Sequence, residues 1–140
     1  MANYDAVTRT NYYRVTDEEE YARILSRFCS EDEIHDFSEK KEDGTILHGF
    51  GTYGSLYYYP GEEEDEDPDI DQFFLDIQKI LPDDEVFVLM EAGHEKLRYV
   101  VGAVDIVTNK EHRWLNLKEF AEISAKEMLG DKFRGTDLEY

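Results

Sequence analysis

Eight carboxylates fill the ten positions from Glu62 to Asp71: Glu62, Glu63, Glu64, Asp65, Glu66, Asp67, Asp69 and Asp71, with no Lys or Arg among them. Ionised groups at this density cannot enter an apolar core without partners. The run must therefore be a surface connection, and any fold has to be assembled from what flanks it. The imbalance is wider than the run. Up to Glu85 there are 24 acidic and 7 basic residues, and from Val86 onward 10 and 8, which together give the net charge of −19. Self-repulsion on this scale opposes compactness. The charge points to a basic partner surface, and it excludes nucleic acid and anionic lipid as direct ligands, since affinity for phosphates rests on Lys and Arg.

The flanking segments carry regular patterns. Thr8–Val15 is rich in β-branched and aromatic residues and predicts a strand. Thr16 with Glu19 three positions later forms a capping box, and Tyr21, Ile24, Leu25 and Phe28 follow on one helical face. Ile34–Lys40 reads as a strand, Asp43-Gly44 as a tight turn, and Thr45–Tyr59 as the returning strand, ended by Pro60-Gly61. Asp69 caps a second helix, with Gln72 at its third position. Its apolar stripe is Ile70, Phe73, Phe74, Ile77, Ile80 and Leu81, and Pro82 stops it. Val86–Met90 suits a central strand. Gly93 marks a turn to a strand over Leu97–Val107, and Asn109-Lys110 turns into an edge strand at His112–Leu115. Asn116 with Glu119 caps a last helix carrying Leu117, Phe120, Ala121, Ser124 and Met128.

The order β-α-β-β-α-β, then β-β-α, predicts one α+β domain over residues 1–140. This is a ferredoxin-like split βαβ antiparallel sheet with helices on one face, extended by a C-terminal β-hairpin and helix, and with an acidic loop at 61–69. With 41% apolar residues the chain can build a core. It holds no apolar stretch near the roughly 18–20 residues that span a bilayer. One cysteine, Cys29, and an N-terminus without a basic and apolar leader pattern fit a reducing cytoplasm.

Motifs for chemistry fail on physical grounds. Gly49-Phe50-Gly51-Thr52-Tyr53-Gly54 spells a dinucleotide fingerprint, yet strand-like sequence follows where a helix N-terminus should hold the pyrophosphate. We therefore expect no cofactor there. Asp65, Asp67, Asp69, Asp71 and Asp76 have calcium-loop spacing, but Ile70 stands where glycine is needed. His35, His48, His94 and His112 lack metal-site spacing. His94 beside Glu91 and Glu95 fits hairpin residues better than an acid–base group. Cys29 has no basic neighbour to lower its pKa, and reads as packing. A tyrosine platform for bases would need a positive groove beside it.

Charge geometry is what remains. A compact chain of this length is roughly 35–40 Å across, and duplex DNA of that length carries roughly 20–24 negative charges. Carboxylates on rigid elements could imitate phosphates in a Lys/Arg-lined groove. We expect the contacts from Glu62–Asp67, Asp69 and Asp71, supported by Asp17, Glu18, Glu20, Glu31, Asp32 and Glu33. With both helices on one face, the section at Asp17–Glu20 and the section at Glu62–Asp71 are expected to border one negative strip.

The stretches TRTNYYRVTDEEEYARIL, LHGFGTYGSL and FVLMEAGHEKLRYVVG resemble small acidic ferredoxin-like proteins of phages, plasmids and conjugative elements. That resemblance implies an anti-CRISPR or antirestriction inhibitor, acting by binding an RNA-guided nuclease or restriction enzyme. It carries no catalytic residues. The alternative is a non-enzymatic acidic module docking on a basic cellular protein, with weak divalent-cation binding on the carboxylates. A small enzyme is the third class.

Overall fold

The computed structural model describes residues 4–61 and 67–136. In chain order the elements are β1 (Asp5–Thr10), α1 (Glu18–Ser26), β2 (Phe28–Ser30), β3 (Ile34–Asp36), β4 (Glu39–Lys40), β5 (Ile46–Leu47), β6 (Phe50–Thr52), β7 (Leu56–Tyr58), α2 (Ile70–Gln78), β8 (Phe87–Glu95), β9 (Tyr99–Val107), β10 (His112–Asn116) and α3 (Leu117–Leu129). The fold is α+β. Six strands form one sheet in the order β10-β9-β8-β1-β6-β3, with every neighbouring pair antiparallel. Strands β1 and β3 therefore run parallel with β6 between them, and β6 and β8 run parallel with β1 between them. Two ribbons, β2 with β7 and β4 with β5, stand apart from the sheet.

Strand alternation decides what is buried. Thr8 and Thr10 of β1 face inward and are nearly inaccessible, while Val7 faces out. The buried hydroxyls have partners: Thr8 Oγ1 donates to the Gly54 carbonyl at 2.8 Å, and Thr10 Oγ1 accepts from the Phe50 amide at 3.0 Å. Over this face lie Tyr21 and Ile24 of α1 and Phe73, Phe74 and Ile77 of α2, packed on Phe50, Phe87, Leu89 and Val107 of the sheet. Phe73 stands at the centre. Its ring meets Phe28 at 4.7 Å, Phe74 at 5.3 Å, and Tyr58 and Phe87 at 5.4 Å.

Helices α1 and α2 run antiparallel. The Thr16 amide, just before α1, donates to the Ile80 carbonyl beyond the end of α2 at 2.8 Å. At the other end Tyr59 N donates to Arg27 O, and Asp69 N to Tyr58 O. The start of α2 thus sits beside the end of α1.

Several expectations need correction. Asp17, not Thr16, caps α1, its carboxylate accepting from the Glu20 amide at 3.0 Å. Regular pairing of the first strand ends at Thr10, and Tyr13 makes only an isolated bridge to His48. The strand expected over Thr45–Tyr59 is three short ones, broken near Gly49 and Gly54. The one over Ile34–Lys40 is two. Phe28 leaves the helical stripe and begins β2, since the helix ends at Ser26 and Phe28 pairs with Tyr58. Gly93 lies inside β8, paired with Ala6 and Val101; the turn falls instead at Lys96, with φ 51°. Gly93 is required there by close approach, because a Cβ would lie 2.6 Å from the Tyr4 hydroxyl. By contrast the turn at Gly44 (φ 91°) and the caps at Asp69 and Asn116 stand where expected.

Truncating Phe73 to Ala should remove about 3–5 kcal/mol of stability. Leu75→Ala, on the exposed side of the same helix, should stay within about 0.5 kcal/mol. Urea denaturation of both variants checks this.

Candidate functional site

The antiparallel helix pair decides where the acidic groups go. Asp17, Glu18 and Glu20 lie at the start of α1, next to the end of α2. Asp69 and Asp71 lie at the opposite end, one length of α1 away, about 14 Å for nine residues. A strip joining these two sections would run the length of the helix pair, and its Glu62–Glu66 part lies outside the described residues. The Glu31–Glu33 section comes to the end that carries Asp69 and Asp71. Glu31, Asp32 and Glu33 follow β2, whose Phe28 pairs with Tyr58, and Tyr58 accepts the Asp69 amide. Glu31 to Glu33 are three to five residues beyond Phe28, roughly 10–17 Å along the chain. Glu62, Glu63, Glu64, Asp65 and Glu66, expected as main contacts, lie outside the described residues.

The two acidic ends differ in how far their charges are engaged. At the start of α1, Asp17 serves as the cap, Glu18 Oε2 lies 2.8 Å from His48 Nε2, and Glu20 pairs with Arg23 at 2.9 Å. At the other end, Glu31, Asp32, Glu33, Asp67, Asp69 and Asp71 are all exposed. The Asp32 carboxylate accepts the Glu33 amide at 2.7 Å, and that of Asp69 accepts the Gln72 amide at 3.3 Å, both local bonds that leave the negative charge in place. Among the described residues, none of these six is ion-paired with a Lys or Arg.

The cation nearest this end is occupied elsewhere. Arg27 at the end of α1 lies 3.5 Å from Asp76, and its Nη1 donates to the Tyr58 hydroxyl at 3.3 Å. Tyr58 in turn donates to Asp76 Oδ2 at 2.7 Å, and Gln72 Nε2 donates to Oδ1 at 2.9 Å. The burial of the Tyr58 phenol and the adjacent Asp76 carboxylate push its pKa up to about 12. This network pins the first turns of α2 to the end of α1. Sequence reasoning missed it, although Arg27 was the available signal; Arg23, one turn earlier, pairs with Glu20 instead. Both line a groove of about 450 Å³ that ends at Gly61, where the acidic run begins.

The groups considered for chemistry are dispersed. His94 is paired with Asp5 and Val100 on one face of the sheet, and alternation turns Glu91 and Glu95 to the other. Glu91 accepts from the Tyr4 hydroxyl at 3.1 Å. His35 packs edge-on against Tyr53, His48 is held by Glu18, and His112 by Asp105 at 2.7 Å. Burial raises the Asp105 carboxyl, and His112 opposes that shift. Cys29 is not interior packing, as expected, but an exposed residue of β2 opposite Tyr57. Strand β7, not a helix, follows Gly54, so no helix N-terminus faces those glycines. Among the described residues no three His, Cys, Asp or Glu side chains are grouped to hold a metal ion, and no helix is long and apolar enough to cross a membrane.

No protein-family model, curated protein or solved structure matches the chain.

A phenol whose pKa is about 12 when folded, against an ordinary value of 10.0, stabilises the fold fully below pH 10. That contribution is lost as pH rises through 12. The urea midpoint should therefore fall as pH climbs from 10 toward 12, and Tyr58→Phe should make the fall shallower. Denaturation curves at stepped alkaline pH read this out.

Proposed function

We propose that this chain is a non-enzymatic, cytoplasmic inhibitor that imitates nucleic acid and occupies the phosphate-binding groove of a nucleic-acid-binding defence protein, such as an RNA-guided nuclease or a restriction enzyme. One observation carries the reading. Glu31, Asp32, Glu33, Asp67, Asp69 and Asp71 are exposed around one end of the helix pair without a Lys or Arg partner among the described residues. Two of these carboxylates are held on helix α2 or at its cap, and three follow a hydrogen-bonded ribbon, so little ordering is needed on docking. The five carboxylates of Glu62–Glu66 join directly to this end in sequence. A groove lined by Lys and Arg would meet this charge with fast, salt-sensitive association. The start of α1, whose Glu18 and Glu20 already have partners, contributes less to the contact than the sequence reading assigned to it.

The fold we infer is the ferredoxin-like split βαβ, extended by a C-terminal β-hairpin and helix. The order β8-β1-β6-β3, in which an antiparallel strand divides each βαβ pair, supports this.

Neutralising Glu31→Gln, Asp32→Asn, Glu33→Gln, Asp67→Asn and Asp71→Asn together, with the Asp69 cap retained, should weaken inhibition of the target nuclease at least about tenfold. Raising salt from about 50 to about 200 mM should weaken the parent protein by a similar factor or more. Excess duplex DNA or guide RNA should displace the chain from its target. A complex that survives this competition would reject mimicry and favour an acidic module docked on a basic surface unrelated to nucleic acid.

A further inference from the structure

The sheet face opposite α1 and α2 carries an uncovered apolar band between the charged or polar side chains of Asp5, Arg9, His94 and Arg113, and α3 is uncovered with it. Val7, Met90, Val100, Ile106 and Leu115 all lie on this face by strand register, and each is between 40% and 66% exposed. Gly102 belongs to the same face, paired with Ala92, which is itself paired with Val7. Leu117, the first residue of α3, sits directly over Gly102, where a Cβ would lie 2.4 Å from Leu117 Cδ1. The open face thus continues without a break into α3. On that helix Leu117, Phe120, Ile123, Met128 and Leu129 are between 54% and 83% exposed, and no residue is buried. A helix of this length is marginal in water unless an apolar face is packed.

We propose that this face is the dimer interface of the protein, with a second copy of the chain as its occupant, packed two-fold so that α3 and the open sheet face of each copy cover those of the other. Two quantities select that occupant. Leu117, Phe120 and Met128 share one side of α3, and with the five sheet residues their exposures together equal roughly four whole side chains, several hundred Å² of apolar surface per copy, the order of the roughly 800 Å² that one partner contributes to a stable interface. Charge selects the same face. Two copies, each with a net charge of −19, repel one another. From Val86 onward, however, where seven of the eight side chains lie, acidic and basic residues number 10 and 8, so this is where a like-charged copy can approach closely. A basic partner would be drawn instead to the carboxylate end, so the two surfaces do not compete. An isologous contact also closes on itself and leaves no apolar surface to propagate.

Sedimentation velocity on the full chain should give twice the 16.5 kDa of one copy at concentrations above about 10 µM. The dimer should persist or tighten between about 50 and about 500 mM NaCl, because burial of apolar surface is not screened. Phe120→Glu with Met128→Lys should return the mass to one copy, whereas Leu75→Lys on α2 should leave the dimer intact. Amide exchange within 117–129 should slow as wild-type concentration rises, a readout independent of any variant. A wild-type chain that stays a single copy at about 100 µM would overturn the proposal. So would a dimer unaffected by the double substitution while exchange in 117–129 is independent of concentration.

Discussion

Phe73 of α2 touches four other rings, drawn from the ribbon, the main sheet and its own helix. Phe28 and Tyr58 face each other across the β2–β7 ribbon, Phe87 opens β8, and Phe74 is its neighbour on α2. The ribbon shares no strand with the main sheet, so ring packing fastens it there, aided by the Ser30–Thr52 hydroxyl contact and the Tyr58–Asp76 bond. Aromatic side chains provide large buried area with preferred edge-to-face geometry. One residue therefore holds helix, ribbon and sheet in a single arrangement. The placement of the acidic groups follows from it, since β2 delivers Glu31–Glu33 and α2 delivers Asp69 and Asp71.

The polar layer around this core works in the same direction. Tyr13 and Tyr21 share a hydrogen bond of 2.6 Å, and burial raises both phenols well above their ordinary range. His48 packs on Tyr21 and meets Glu18. At the other end Arg27, Tyr58 and Asp76 tie α1 to α2. The Thr16–Ile80 backbone bond at one end and the Arg27–Tyr58–Asp76 contacts at the other thus hold the helix pair around an apolar middle. That clamping makes the antiparallel arrangement of α1 and α2, and the separation of the two acidic groups, a fixed property of the molecule.

Local signals were legible in the sequence and long-range ones were not. Asp69 with Gln72 and Asn116 with Glu119 announced their helices because a cap is decided within one turn. Gly44 announced its turn for the same reason. The β2 strand was hidden because Phe28 also completes the apolar stripe of α1, and only pairing with Tyr58, thirty positions on, decides between the two. Gly93 carries a turn-like signal whose true cause is the Tyr4 side chain pressed against it. The acidic sections were visible as charge, but which of them share an end depends on helix direction, which periodicity does not encode. Likewise, the stripe of α3 could be read, whereas its exposure could not.

The base of the 60–68 segment has a further consequence. Tyr59 N bonds to Arg27 O on one side and Asp69 N to Tyr58 O on the other, so the segment leaves and rejoins the fold at nearly the same point. Closing such a loop grows only slowly more unfavourable with length. Insertions and deletions there can raise or lower the number of anions while the core is left untouched. The net charge of the segment and the foldability of the core are thus set independently of one another.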